Sequence, residues 1–180
     1  MIVELRQYVM QPGGRDTLIG MFDSIFIDAQ EACGIEVIGV FRDLDDPNRF
    51  VWFRRFADME SRRQALECFY NGALWKANRD AANATMIDSD DVLLLRELQQ
   101  DVVDIAGEGE LFVSIFERND AIADAALETE HSPNTFPRLP IRENEDVLVT
   151  FARSQQIPEN LLPYVKQRLR LAATSRSKMR

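Results

Sequence analysis

The sequence predicts an α+β fold in which two ferredoxin-like (split βαβ) repeats face each other around one barrel-like core. Three observations carry this. Residues 2 to 98 read as strand, helix, strand, strand, helix, strand, the order of a ferredoxin-like unit. Residues 111 to 180 run through the same order in shortened form. A sheet with helices on one face must also bury its other face, and the second run offers the partner. The expected division is a first repeat over 1–99, an acidic linker with Gly107 and Gly109 over 100–110, and a shortened second repeat over 111–180.

Each element has its own signal. Ile2 to Val9 alternates, with Val3, Leu5 and Val9 on one face and Glu4, Arg6 and Tyr8 on the other. Pro12-Gly13-Gly14 breaks the strand. From Arg15 to Cys33 apolar positions (Leu18, Phe22, Ile25, Phe26, Ala29, Ala32) recur at helical spacing, and Gly34 supplies a stop. Ile35 to Arg42 is the second strand, and Asp45-Asp46-Pro47-Asn48 turns the chain into the strongest strand of all, Arg49 to Phe56. There Phe50, Trp52, Arg54 and Phe56 share one face and Val51, Phe53 and Arg55 the other. Asp58 caps a helix with core positions Met59, Leu66, Phe69 and Tyr70, and a second helical piece runs from Leu74 to Thr85. Asp90 to Leu98 is a near-continuous apolar strand.

In the second run, Leu111 to Arg118 is a strand and Asp120 to Glu130 is expected to be a short helix. Thr135 to Ile141 holds Pro137 and Pro140, so it is expected only as an edge strand. Val147 to Arg153 is the counterpart of the Phe50 to Phe56 strand. A short helix from Pro158 to Val165 and a strand from Gln167 to Thr174 complete the order.

Composition excludes several classes. The 180 residues are 46% hydrophobic and 28% charged, an ordinary globular balance, and no apolar run is long enough to span a bilayer, so no membrane partner is expected. The N-terminus enters a strand at once without a signal-peptide layout. A net charge of −9 argues against nucleic acid, and the basic stretch from Lys166 to Arg180 reads as a solvated end. Cys33 and Cys68 fall on separate helices without metal-ligand spacing and read as buried thiols, which fits a cytoplasmic location.

Motif chemistry is sparse. His131 is the single histidine and sits in a loop-like Glu130-His131-Ser132-Pro133 stretch, so metal ligation and a Ser-His-Asp triad both lack parts; no metal and no cofactor are expected. Gly13-Gly14 lies between a strand and a helix but matches no phosphate-binding fingerprint and reads as a turn. Trp75, Arg79 and Asn83 share a helix face and read as packing.

The remaining constellation is distributed. Arg6, Tyr8, Trp52 and Arg54 fall on one side of neighbouring strands and are expected to converge inside the barrel, on the face away from the helices. Two guanidiniums, a phenol and an indole suit a planar or carboxylate-bearing small molecule, held by bidentate hydrogen bonds and stacking. Tyr8 and Arg54 are the candidate catalytic groups, Tyr8 as a donor to a developing oxyanion. A second reading stays open: Arg6 and Arg54 pair with Glu4 and Glu36 in a structural network.

The segment from Phe41 to Trp52 (Phe-Arg-Asp-Leu-Asp-Asp-Pro-Asn-Arg-Phe-Val-Trp) resembles the bacterial NIPSNAP family. Glu4-Leu5-Arg6-Gln7-Tyr8, Phe69-Tyr70-Asn71-Gly72 with Trp75, Arg79 to Met86 and Phe136 to Arg142 resemble it too. The resemblance implies a dimeric α/β-barrel, here fused intramolecularly as two copies in one chain, and its barrel relatives include cofactor-independent monooxygenases and haem-degrading enzymes. It implies no agreed catalytic motif. The expected function is small-molecule binding inside the barrel, in its enzymatic version a cofactor-independent oxygenase or isomerase acting on an aromatic or polyketide-like substrate. The alternative is a non-catalytic interaction module whose arginines and aromatics form an interface. A homo-oligomer is compatible with either.

Overall fold

The computed structural model describes residues 1–99 and 109–179, so most of the expected 100–110 linker lies outside the described residues. Its strands are β1 (Ile2–Met10), β2 (Glu36–Asp43), β3 (Arg49–Phe56), β4 (Met86–Glu97), β5 (Leu111–Glu117), β6 (Leu127–Thr129), β7 (Val147–Ala152) and β8 (Val165–Ala173). They close into a barrel in the order β1-β3-β2-β8-β5-β7-β6-β4, and every described ladder is antiparallel. Taken as two arcs, β4-β1-β3-β2 and β8-β5-β7-β6, the ring carries the ferredoxin-like strand order twice.

Side-chain alternation then decides what fills the ring. Val3, Leu5, Val51, Phe53, Leu93 and Leu95 point inward from the first arc. They meet Val113, Ile115, Val147, Val149, Leu169 and Leu171 from the second, all buried. This apolar lumen is the burial each arc lacks on its own.

The opposite face of the first arc is covered by α1 (Gly14–Met21), a π turn (Phe22–Phe26), α2 (Ile27–Glu31), α3 (Met59–Asn71) and α4 (Ala73–Ala84). The π turn has a sequence cause. Leu18, Phe22, Phe26 and Gln30 are all buried and recur every four residues. In a regular α-helix that spacing drifts by about 40° per step, and a wider turn absorbs the drift. Asp58 caps α3 as expected, accepting from Ser61 N at 2.7 Å.

The second arc departs from expectation in its connections. Asp120 to Glu130 is not a helix. It runs through turns into β6, which pairs with both β4 and β7 and completes the ring. The two ladders outweigh the local helical pattern, while Ile122 and Ala125 pack with Phe116, Leu148 and Leu161 in a small outer core. Thr135 to Ile141 is not a strand either, as Pro137 and Pro140 bring no N–H to a ladder. It forms a strap that reaches back to the first arc. The Pro158 to Val165 helix is a 3₁₀ turn (Glu159–Tyr164) leading directly into β8.

Two further expectations are corrected. Cys33 and Cys68 are not separate thiols but a disulfide joining the turn after α2 to α3, so they give no support to a reducing compartment. The basic end is docked rather than solvated: Met179 is buried in the lumen, Arg170 pairs with Glu110, Arg176 with Asp28 and Lys178 with Glu31. Among the described residues no helix is long and apolar enough to cross a membrane.

Candidate functional site

The β1–β3 ladder sets Arg54 opposite Glu4, Trp52 opposite Arg6 and Phe50 opposite Tyr8. Arg6, Tyr8, Trp52 and Arg54 therefore do converge, all of them buried. The side on which they converge is the reverse of expectation: they lie in the layer between sheet and helices, not inside the barrel. The mostly apolar faces of both arcs claim the lumen, where the buried Gln7 pairs with Gln167 and no helix brings further polar partners. The mixed face turns to the helices, which supply them.

Glu4 is the hub. Its Oε2 accepts from Arg6 Nη1 at 2.7 Å and Arg54 Nε at 2.8 Å, and its Oε1 accepts from Arg62 Nε at 2.6 Å. Arg54 Nη2 is also 2.7 Å from Oε2, a distance that makes an ion pair, although the N–H is not aimed for a hydrogen bond. Glu36, the other expected partner, pairs with Arg55 on the surface side. Arg6 and Arg54 are thus committed to a network, as the second sequence reading had it. Burial alone pushes the Glu4 carboxyl up, but Arg54, Arg6 and Arg62 outweigh it and hold the carboxyl well below the ordinary carboxylate range. Arg62 shows the opposite imbalance. Burial, aided by the like charges of Arg54 and Arg6, draws its guanidinium below the usual value despite Glu4.

Around this hub lies an aromatic cage. Arg6 Cζ is 5.6 Å and Arg54 Cζ 5.1 Å from the Trp52 ring centre, flanking the indole with cations. Phe22 meets Trp52 at 4.9 Å and Phe50 at 5.0 Å, both edge-on. Beside them is a cavity of about 30 Å³ walled by Tyr8 and Trp52 from the sheet, Phe22, Phe26 and Gln30 from the first helical run, and Tyr70 and Trp75 from α3 and α4. That is room for a water or two, so a larger guest must displace part of the wall.

Three of the wall's polar groups bear on the chemistry as donors. Tyr8 Oη accepts from Arg6 Nε at 2.9 Å, which leaves its own hydrogen to give, and burial raises the phenol so that it keeps that hydrogen. Trp52 Nε1 has no acceptor among the described residues. Gln30 Oε1 is taken by Arg54 Nη1 at 3.3 Å, leaving the Gln30 amide N–H groups to donate. No carboxylate or imidazole lines this cavity.

Arg62, Gln30 and Tyr70 were not among the sequence candidates, and neither was the strap. Arg62 Nη1 donates to Asn134 Oδ1 at 3.1 Å and Thr135 Oγ1 at 3.3 Å, and Phe136 stacks on Tyr70 with ring centres 5.8 Å apart. Residues of the second arc therefore seal the first arc's polar layer.

A larger groove of about 620 Å³ runs between the strap and β4, past His131 and the acidic Glu130, Glu143 and Glu145. It is open to solvent, and His131 is exposed, 3.9 Å from Asp146. Tyr8, whose phenol is raised by burial, lines the smaller cavity, and chemistry is better placed there. Among the described residues no cluster of His, Cys, Asp and Glu could hold a metal ion. Gly13, left-handed at φ 79°, ends the turn before α1, which begins at Gly14.

No curated protein matches this chain. Residues 3–99 match the profile of the NIPSNAP family. In three dimensions the chain is similar to a NIPSNAP family protein from Agrobacterium tumefaciens, at 18% identity and a TM-score of 0.51, over 56% of this chain and 96% of that one. It is similar to a monooxygenase candidate from Lactobacillus acidophilus at 14% identity and TM-score 0.51, over 96% and 93% of the two chains. An anthrone oxidase-like protein aligns at 11% identity and TM-score 0.56, over 96% and 91%. At these identities the likeness speaks for the fold. The first spans about half of this chain, the other two nearly all of it.

Proposed function

The chain belongs to the NIPSNAP family, and from that starting point we propose that it binds a small planar aromatic molecule in the cavity between the helices and the first arc. In this reading it acts on the molecule without a bound cofactor, as an oxygenase or isomerase. One observation carries the reading: the buried Tyr8 phenol retains a hydrogen to donate, at the wall of a cavity lined mostly by aromatic rings. A ketone that has given its acidic ring proton to solvent enters as the enolate, and its charged oxygen is seated against Tyr8. A preorganised donor in a dry site stabilises that charge far more than water does. The electron-rich enolate is then the species that dioxygen or a returning proton meets. The anthrone oxidase-like protein of the same fold supports the aromatic-ketone direction, and the monooxygenase candidate supports the oxygenase one.

The test is oxygen uptake with anthrone as substrate and no added metal or flavin. Saturable uptake is expected, with Tyr8→Phe lowering kcat on the order of 10²-fold while KM changes little. Uptake no faster than the uncatalysed background, together with unchanged tryptophan fluorescence on adding anthrone, defeats the reading.

A second reading, the non-catalytic interaction module, is favoured by the small size of the cavity and by the commitment of Arg6 and Arg54 to Glu4. Saturable quenching of Trp52 and Trp75 by an aromatic ligand separates the two, because a layer that only packs admits no guest.

A further inference from the structure

We infer that the molecule held in this cavity carries its charge as an anionic oxygen on a planar ring, a phenolate, enolate or conjugated carboxylate, and that Arg62 sets this preference from behind the wall. The inference rests on the aromatic-cavity reading and adds the charge of the ligand. Its first support is charge imbalance. Arg6, Arg54 and Arg62 are all buried around a single carboxylate, Glu4, so the layer holds two positive charges in excess. Charges taken out of water and left unmatched are costly, and an anion brought alongside relieves that cost.

The second support is the polarity of the wall. Tyr8, Trp52 and Gln30 all present hydrogens to give, and Trp52 Nε1 gives its hydrogen to no described residue. A neutral ketone would use such donors, but an oxygen bearing a full charge uses them better. The guanidiniums of Arg6 and Arg54 lie within 5.6 Å of the centre of the Trp52 ring, which lines the cavity. The third support is the lack of a base. The wall has no carboxylate or imidazole to remove a proton, and the nearby Glu4 is held ionised by three arginines. The ligand must therefore bring its own acidity, and one that arrives ionised needs no base at all.

Arg62 does not line the cavity, so its removal changes the field without changing the wall. Arg62→Met reduces the excess from two charges to one, and Arg62→Lys keeps it. The chain's two tryptophans, Trp52 and Trp75, both line the cavity, so fluorescence quenching reports on this site directly. The probes are 4-nitrophenol, which ionises near neutral pH, and 4-nitroanisole, its neutral methyl ether, titrated at constant ionic strength on the full chain. The wild type is expected to bind nitrophenolate roughly tenfold or more tighter than nitroanisole, with nitrophenol affinity rising as the probe ionises and nitroanisole affinity flat with pH. Arg62→Met is expected to lower the ratio several-fold and Arg62→Lys to restore it. A ratio near one in the wild type overturns the inference and leaves the aromatic cavity standing; quenching by neither probe overturns both. A ratio unchanged in Arg62→Met removes Arg62 from the account. The wild-type ratio and its pH course need no variant, so a poorly folding Arg62→Met leaves the test intact.

Discussion

Glu4 Oε1 accepts a hydrogen bond from Arg62 Nε at 2.6 Å, tying the first strand to the third helix where neither side chain reaches solvent. Because the same carboxylate also holds Arg6 and Arg54, the two signs of charge are not equally replaceable. Glu4→Gln leaves three buried guanidiniums without a counter-charge and is expected to cost about 3–5 kcal/mol in urea unfolding. Arg54→Met leaves Glu4 bonded to Arg6 and Arg62 and lays an apolar chain on Trp52, so its expected cost is below about 2 kcal/mol. Equal losses in the two variants would contradict an excess of positive charge in the layer.

The same carboxylate dictates an acid limb. Its native pKa is held below the ordinary 4.5, so the unfolded chain binds its proton first as the pH falls. Glu4 therefore contributes its full stabilisation above the unfolded value, and that contribution declines as the pH drops towards the native one. Unfolding free energy measured between about pH 5 and pH 3 should fall steeply in the wild type and less steeply in Glu4→Gln. Parallel curves would show that other carboxylates own the transition.

The Cys33–Cys68 bond closes a loop with a sequence separation of 35 residues. Constraining that loop in the unfolded chain stabilises the fold by about 3–4 kcal/mol in the chain-entropy account. The double variant Cys33→Ser with Cys68→Ser, or the wild type under reductant, should lose a comparable amount in urea. A loss of less than about 1 kcal/mol would mean that the helices hold α2 against α3 without it.

Two glycines of the first helix make a matched pair. A Cβ on Gly14 would stand 2.4 Å from the Thr85 carbonyl oxygen, which is already fixed by Gln11 N at 2.8 Å, whereas one on Gly20 meets nothing within 4 Å. Gly14→Ala is expected to cost about 1–3 kcal/mol by overpacking. Gly20→Ala should instead gain about 0.5–1 kcal/mol from helix propensity, and thermal melts of the two variants should shift in opposite directions.

Much of this architecture is legible in the sequence because it follows from alternation. The parity of Glu4-Arg6-Tyr8 and of Phe50-Trp52-Arg54 puts the polar groups of β1 and β3 on one face, whatever that face turns out to meet. Which face meets the helices is not a local property: it depends on the second arc offering an apolar lumen, and that is a contact across the whole chain. Arg62 had a signal that is easily passed over, since it falls in phase with Met59, Leu66 and Phe69 on the buried side of α3. Gln30 continues the four-residue spacing of Leu18, Phe22 and Phe26 in the same way. The strap had no such signal. Its prolines rule out a regular strand, but nothing in Asn134 or Thr135 says that they will cap an arginine 72 and 73 positions away.

The closure of the ring has a consequence for how this molecule answers to dilution. Each of its eight strands has a neighbour on both sides, and all the neighbours come from one chain. A ring assembled from two separate chains loses its seams when the protein is scarce, because its folded state is a mass-action product. Here β2 meets β8 and β4 meets β6 through a covalent tether, so the seams hold equally well at any concentration.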